Sequence, residues 1–397
     1  MASSETAPSP IHLLRSHSAA VSALHVSTDN ERIYSGDSSG LVVCTSTRTL
    51  RAMTSWKAHT DGLLGVEEMG SNIITHGRDN KIHVWGRVED VVHTVNIGGS
   101  ASLPEQAKPL LKYSMDVNAL NYCRFSLMPL NSSNPVASSS STVPESSLSA
   151  LLAVPNLVES SQVDIWSLPS RERLHAAIGY QPKTTAFSDG RGSEAATGIL
   201  MSIHLFTAND DLQVLMAYEN GSVHLRRYAT PEKSKSVEGK GWELLWSVKL
   251  HNEAIMAMRV SRDNKLALTV SADHLVGRYD LSAEASDEPR FTKHQTKHPG
   301  NGAIAIRDDG RVCAIGGWDG RIRLFTTKKL KPLGTLKYHK SNCQAVEFAR
   351  SIQERTPPED DEDEEMTREE LERRGRWLVG GAADNRISIW ELMNFEK

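Results

Sequence analysis

A closed all-β ring of seven four-stranded sheets, a seven-bladed β-propeller, is the fold this sequence predicts, and three observations predict it. A unit made of one His, an Asp about twenty residues on and an aromatic six residues after that recurs along the chain. Where nothing is inserted, the aromatic slots follow one another at about 40–45 residues, the length of a four-stranded blade. Helix signals are nearly absent, while Gly and Ser turns bound short runs of Val, Ile and Leu throughout.

The clearest unit runs from His59 through Asp79 to Trp85, closing on the alternating Ile82-His83-Val84-Trp85 of a strand packed on one face. Thr75 stands four residues before Asp79. Its hydroxyl is expected between imidazole and indole, so that Trp85, Thr75, His59 and Asp79 form one chain of satisfied buried polar groups. The Asp-to-aromatic interval repeats at Asp273–Tyr279, Asp319–Phe325 and Asp384–Trp390, preceded by His251, His298 and His339, and Thr269 repeats the Thr75 position. A looser copy opens the chain with His17, Asp37 and Thr45 in the aromatic slot. Two copies are degenerate: Trp166 follows Ser160 in the Asp slot, and Arg226 replaces the Trp after Asn220-Gly221. Seven slots imply seven blades.

Residues 1–10 read as a flexible polar lead-in and 11–397 as the propeller. After Trp390 only Glu391 to Lys397 remain, too little for a returning outer strand. The segment Ile11–Arg15 is therefore expected to supply the outer strand of the last blade and so to close the ring.

Intervals between aromatic slots locate inserted loops near 131–149, 181–197 and 353–376. Thr45 to Trp85 is a bare blade of 40 residues, whereas Trp85 to Trp166 is 81, Trp166 to Arg226 is 60 and Phe325 to Trp390 is 65. The first surplus includes a Ser- and Pro-rich run. The last carries seven consecutive acidic residues, Glu359 to Glu365, which repel one another and cannot pack into a core. They read as a solvated loop, or more sharply as an acidic arm for a basic partner. Thr367 with Glu370 then forms a capping-box pattern, with Glu369–Arg373 and Glu370–Arg374 four apart, which predicts a two-turn helix.

Composition narrows the function classes. A net charge of −4 leaves no electrostatic footprint for nucleic acid, and no aromatic residues interleave the basic clusters Lys328-Lys329-Leu330-Lys331 and Arg373-Arg374-Gly375-Arg376. The four Cys lack a CxxC pairing and fall in strand-like runs, as reduced core thiols of an intracellular protein would. No run of 18 apolar residues is present, so neither secretion nor a membrane span is expected.

The ring of His…Asp…Trp units resembles the WD-repeat family over nearly the whole chain. More narrowly, Pro10–His17, Tyr34–Gly40, His76–Trp85, Gly316–Phe325 and Gly380–Trp390 are similar to the fungal ASTRA-associated WD-repeat family, whose animal relatives are described as G-protein-beta-subunit-like. That resemblance implies a non-catalytic scaffold subunit of the ASTRA complex, working in chromatin regulation and in assembly of phosphatidylinositol-3-kinase-related kinases. Implied partners are co-chaperone subunits, a kinase-like subunit and AAA+ ATPases, in the nucleus, alone or together with a cytoplasmic pool.

Enzyme and metal readings weaken against the repeat. His59, Thr75 and Asp79 imitate a catalytic triad, yet the set recurs at His251–Thr269–Asp273, and an active site needs one constellation in one cleft. His294 and His298 have zinc-like spacing but no second ligand pair, and Asp189-Gly190-Arg191-Gly192 lacks the strand-to-helix frame of a phosphate loop. No cofactor is expected. What remains is surface. The residues just before the structural Asp are Arg78, Ala272, Trp318 and Ala383, and Trp318 is the outlier. Trp318 and Arg78 are candidate partner-binding residues, with Trp56 a secondary candidate. Two other classes compete: a signalling propeller for a G-protein-type partner, and a histone-tail reader, for which Asp61, Glu67 and Glu68 are too few acids.

Overall fold

The computed structural model describes residues 8–88, 107–120, 122–130, 149–180, 197–282, 290–351 and 367–393. Their strands form seven four-stranded antiparallel sheets. The inner strands, in blade order, are Val21–Val26, Leu63–Met69, Ser126–Leu130, Leu200–Ala208, Ile255–Val260, Asn301–Ile306 and Cys343–Phe348. They surround a central channel, and blades one to six then run outward in chain order.

Burial follows from this layering. The second strands of blades one, six and seven, Arg32–Asp37, Val312–Gly317 and Trp377–Ala382, are buried at every position, because a neighbouring blade covers each face. An outer strand such as Leu110–Asp116 or Pro332–Lys337 is largely exposed. Seven apolar clusters fill the seven gaps between blades, so the core is a ring of wedges and not one central mass. Six of the seven inner strands carry a register shift near their first residue, as between Leu63 and Gly65, which increases local twist; blade three lacks it.

The last sheet has the order His12–Leu14, Ile387–Glu391, Trp377–Ala382, Cys343–Phe348. His12 faces Ile389, Leu13 faces Ser388 and Leu14 faces Ile387, while Ile11 N–H donates to Ile389 O at 2.8 Å. The expected closure by the first strand is therefore present. Leu14 is buried in the wedge between blades seven and one, with Val21, Ile33, Val379 and Ile387.

The helix expected after the acidic run spans Arg368–Gly375, and its Thr367 cap accepts a hydrogen bond from Glu370 N–H. Packing stabilises it beyond its own short length. Arg374 is buried and donates to Thr47 Oγ1 at 3.0 Å, and Arg373 and Arg376 converge on the two oxygens of Glu391. The acidic run itself, the Asp189–Gly192 turn, the first seven residues, and most of the loops placed at 131–149 and 181–197 lie outside the described residues. All four cysteines are buried and none is in a disulfide. Among the described residues no helix is long and apolar enough to cross a membrane.

Leu14→Ala should cost about 2–4 kcal/mol by leaving a cavity in the closing wedge. Deleting residues 1–15 should cost more and shift the single urea transition of the whole ring. A separate early transition, with the main midpoint unmoved, would show that the first strand is only an appendage.

Candidate interaction surface

The buried polar chain of blade two has the expected geometry. His59 Nδ1 lies 2.8 Å from Asp79 Oδ1, His59 Nε2 lies 2.8 Å from Thr75 Oγ1, and Trp85 Nε1 donates to Thr75 Oγ1 at 2.9 Å. These partners fix a neutral imidazole, with Nδ1–H donating to the carboxylate and Nε2 accepting the Thr75 proton. Burial pushes the His59 pKa down more than Asp79 raises it. Burial would raise the Asp79 carboxyl, but the Thr60 N–H and His59 together hold it below its ordinary value.

Other blades satisfy the same groups with different atoms. In blade five His251 meets Thr269 at 2.7 Å and Asp273 at 3.2 Å, and Thr269 Oγ1 lies 3.2 Å from Tyr279 OH. In blade one His17 bridges Asp37 and Ser35 at 2.9 and 2.8 Å. Blade seven has Gly380 in the hydroxyl position, and Ser388 on the next strand supplies the missing oxygen to both His339 (2.8 Å) and Trp390 (2.9 Å), while Asp384 holds His339 Nδ1 at 3.0 Å. In blade three Asn118 stands two residues after the preceding outer strand, as His59 does in blade two, donating to Asn156 O and lying 3.3 Å from Ser160 Oγ.

Blade six corrects the sequence reading. His298 is exposed and has no part in a network with Asp319. The structural His stands four residues before its inner strand in blades one, two, five and seven, whereas His298 stands three before Asn301, so the slot falls on Lys297. Asp319 is satisfied instead by Arg323, whose two terminal nitrogens lie 3.1 and 2.5 Å from its two oxygens. The hydroxyl position holds the apolar Ile315.

Trp56 is a second correction. It is only 4% exposed and packs edge-on against Trp85 at 6.0 Å, so it belongs to the wedge between blades one and two and offers nothing to a partner. Trp318 and Arg78 do reach solvent. Trp318 is 45% exposed, and its indole lies along Gly300 and Gly302 of its own blade: a Cβ built on Gly300 would come within 2.6 Å of it. The glycines thus make the floor that holds the ring open to solvent. Arg78 is exposed, with its guanidinium 4.9 Å from the Tyr122 ring centroid.

Sequence reasoning missed the apolar margin next to Arg78. Leu120, Tyr122, Leu157, Val158 and Tyr180 are all exposed around blade three, Val158 at 90%. Asn118 ties their loops together: its Oδ1 accepts from Leu120 N–H, while its amide reaches Asn156, whose own Oδ1 accepts from Val158 N–H. The signal available was negative, since the His…Asp signature is missing in this blade. Glu67 and Glu68, weighed as histone contacts, are taken up by Arg124 and by Arg32 and Arg87 respectively.

One group of possible metal ligands occurs among the described residues, His59, Asp79 and His83. Both His59 nitrogens are already bonded to Asp79 and Thr75, so a metal would have to dismantle the blade's polar chain. The geometry holds a turn face rigid.

Residues 8–44 match the family described as "WD domain, G-beta repeat". The chain is 31% identical to "ASTRA-associated protein 1" of Penicillium rubens, covering 96% of this chain and 97% of that protein. It is 30% identical to the protein of the same name from Verticillium alfalfae, over 97% and 93%. The β-propeller domain of Cps50 (Swd1) from Myceliophteria thermophila superimposes with a TM-score of 0.61 at 13% identity, covering 97% of this chain and 99% of that one, a likeness of fold alone.

Thr75→Val should cost about 2–3 kcal/mol in urea unfolding, because buried imidazole and indole nitrogens lose their shared partner. His298→Ala should change stability by no more than about 0.5 kcal/mol. A pH effect follows from the same burial. His83, His175, His204 and His224 are pushed down to about 4, in each case mainly by burial. Unfolded, they titrate near 6.5. Between these values the unfolded chain binds more protons, so stability falls as pH drops from 6.5 toward 4. Urea midpoints at pH 7.5, 6 and 5 should decline in that order, and a flat series would contradict the buried neutral imidazoles.

Proposed function

The chain belongs to the ASTRA-associated protein 1 family of WD-repeat proteins, and on that premise we propose that it is the scaffold subunit of an ASTRA-type assembly. In this reading it acts in the nucleus, in chromatin regulation and in the maturation of phosphatidylinositol-3-kinase-related kinases. It binds co-chaperone subunits, a kinase-like subunit and AAA+ ATPases, and no bond is made or broken on it. The observation that carries this reading is Trp318, a half-exposed indole braced on glycine in a turn where blades five and seven have alanine. Large aromatic and Arg side chains dominate interface energetics, because they combine contact area with a polar handle. Arg78 stacked on Tyr122, beside the exposed Leu157 and Val158, extends the same turn face.

A histone-tail reader fits less well. The channel is lined by Arg124, Arg259 and Arg350, which repel a lysine-rich peptide. The competing signalling reading rests on architecture alone, and one fold hosts many functions.

Trp318→Ala should leave the urea transition unchanged and weaken capture of the companion subunits by about thirtyfold or more, the scale of a hot-spot residue. The measurement is quantitative affinity purification of the tagged protein, with identification of a co-chaperone and a giant kinase-like subunit. Undiminished capture by Trp318→Ala and by Arg78→Glu would remove this face from the interface. Recovery of nucleosomes without those subunits would remove the assembly reading.

A further inference from the structure

The central channel contains a cavity of about 220 Å³ to which all seven inner strands or their flanks contribute. Its ionisable lining is Arg124, Arg259, Arg350, Glu67, Glu347 and the imidazoles of His25 and His204. Three guanidiniums therefore face two carboxylates. Arg124 pairs with Glu67. Glu347 is divided between Arg259, at 3.1 Å, and Arg350, at 3.5 Å. Arg350 also reaches Asp308 at 3.4 Å, but Arg262 holds that carboxylate at 2.9 Å.

Donors are in excess as well as charge. A guanidinium carries five N–H groups, and Arg124 and Arg259 each direct one at a carboxylate. Two buried nitrogens beside the cavity have no hydrogen-bond partner among the described residues, Nε2 of His25 and Nε of Arg350, and His25 is only 7% exposed. Burial, and then Arg124, push the Arg259 pKa below its ordinary value. Burial, then Arg350, Arg124 and Arg259, hold His25 well below the free imidazole. Leaving such groups desolvated and incompletely paired is costly, and a well-packed apolar lining would avoid that cost. The arrangement is what a site for a missing negative charge requires: converging forks, one extra donor and room for a tetrahedral ion with a few waters of about 30 Å³ each.

We propose that the central channel binds a phosphate-class oxyanion, clasped by Arg124, Arg259 and Arg350 and by Nε2 of His25, and that His25 takes up a proton on binding. The added negative charge offsets the three guanidiniums facing His25 across the channel. Of the other groups facing it, Glu67 and Glu347 are paired with these guanidiniums, His204 stays neutral, and the Tyr34 ring, 6.3 Å away, contributes no charge. Once protonated, Nε2 donates to the ion instead of remaining unsatisfied. This site is independent of the partner-binding face.

Calorimetric titration of the full chain with inorganic phosphate tests it, at pH 6.5 and roughly 0.15 M ionic strength, in two buffers of different ionisation enthalpy. Expected is saturable one-site binding, absent with chloride and weakened at least tenfold in Arg259→Gln and Arg124→Gln. Proton uptake is read in a parallel titration with sulfate, which has no proton to exchange at this pH: its binding enthalpy should depend on buffer in the native chain and not in His25→Gln. Thermal melts of each variant in phosphate-free buffer monitor folding; if Arg259→Gln does not fold, Arg259→Lys keeps the charge without the fork and should show the same loss. A second titration, with myo-inositol hexakisphosphate, separates the sources. Tighter binding with the same sensitivity to the variants assigns the site to a phosphoryl group of a larger ligand, and binding of phosphate alone assigns it to the free ion. No saturable heat up to about 10 mM phosphate, or equal affinity in the arginine variants, overturns the site. Buffer-independent enthalpy of sulfate binding in the native chain overturns the proton uptake.

Discussion

Three facing pairs, His12 with Ile389, Leu13 with Ser388 and Leu14 with Ile387, tie the head of the chain into the sheet that ends it. Every blade in this ring is stabilised by the blade on either side, because each apolar wedge is shared between neighbours. A ring of such wedges has no natural end unless its last edge is paired. The closure therefore supports the channel and the turn face alike, although neither touches the three pairs directly. The helix Arg368–Gly375 braces the same seam from outside, through Arg373 on Glu391 and Arg374 on Thr47.

The polar chains show how tolerant this architecture is of the atoms that satisfy it. The structural imidazoles take an oxygen at Nε2 and a carboxylate at Nδ1, and that oxygen comes from Thr75, Ser35, or Ser388 on the adjoining strand at nearly the same distance. Once the imidazole slot holds Lys297, the blade needs another partner for its turn aspartate, and Arg323 provides it. Blade three abandons the His and the inner-strand register shift together, and it is also where apolar side chains gather at the surface.

Legibility in the sequence divided along physical lines. Periodicity is a property of the chain, so blade number, the order of strands and the closing segment could be read from Asp79–Trp85 and its repeats. The Thr367 cap was equally local. His298 was misplaced because the motif was matched by residue type, whereas the slot is set by distance to the inner strand. Trp56 reads as surface in the sequence because a lone sequence does not say which side of a strand faces the next blade. The channel's arginines were invisible for a related reason: Arg124, Arg259 and Arg350 lie more than ninety residues apart in sequence and meet only when the ring is shut. Blade three's exposed margin left only the mark of a missing signature.

The two ends that meet in one sheet also set an order of events during biosynthesis. Leu14 is added to the chain with its partner Ile387 still 373 residues from being made, which at about 5–20 residues per second is a wait of roughly 20–80 s. Throughout that interval the flank of the first blade is an apolar wall with nothing against it. A nascent chain of this design keeps that wall bare until translation is nearly complete, and a message truncated near its end would release a ring that cannot be latched.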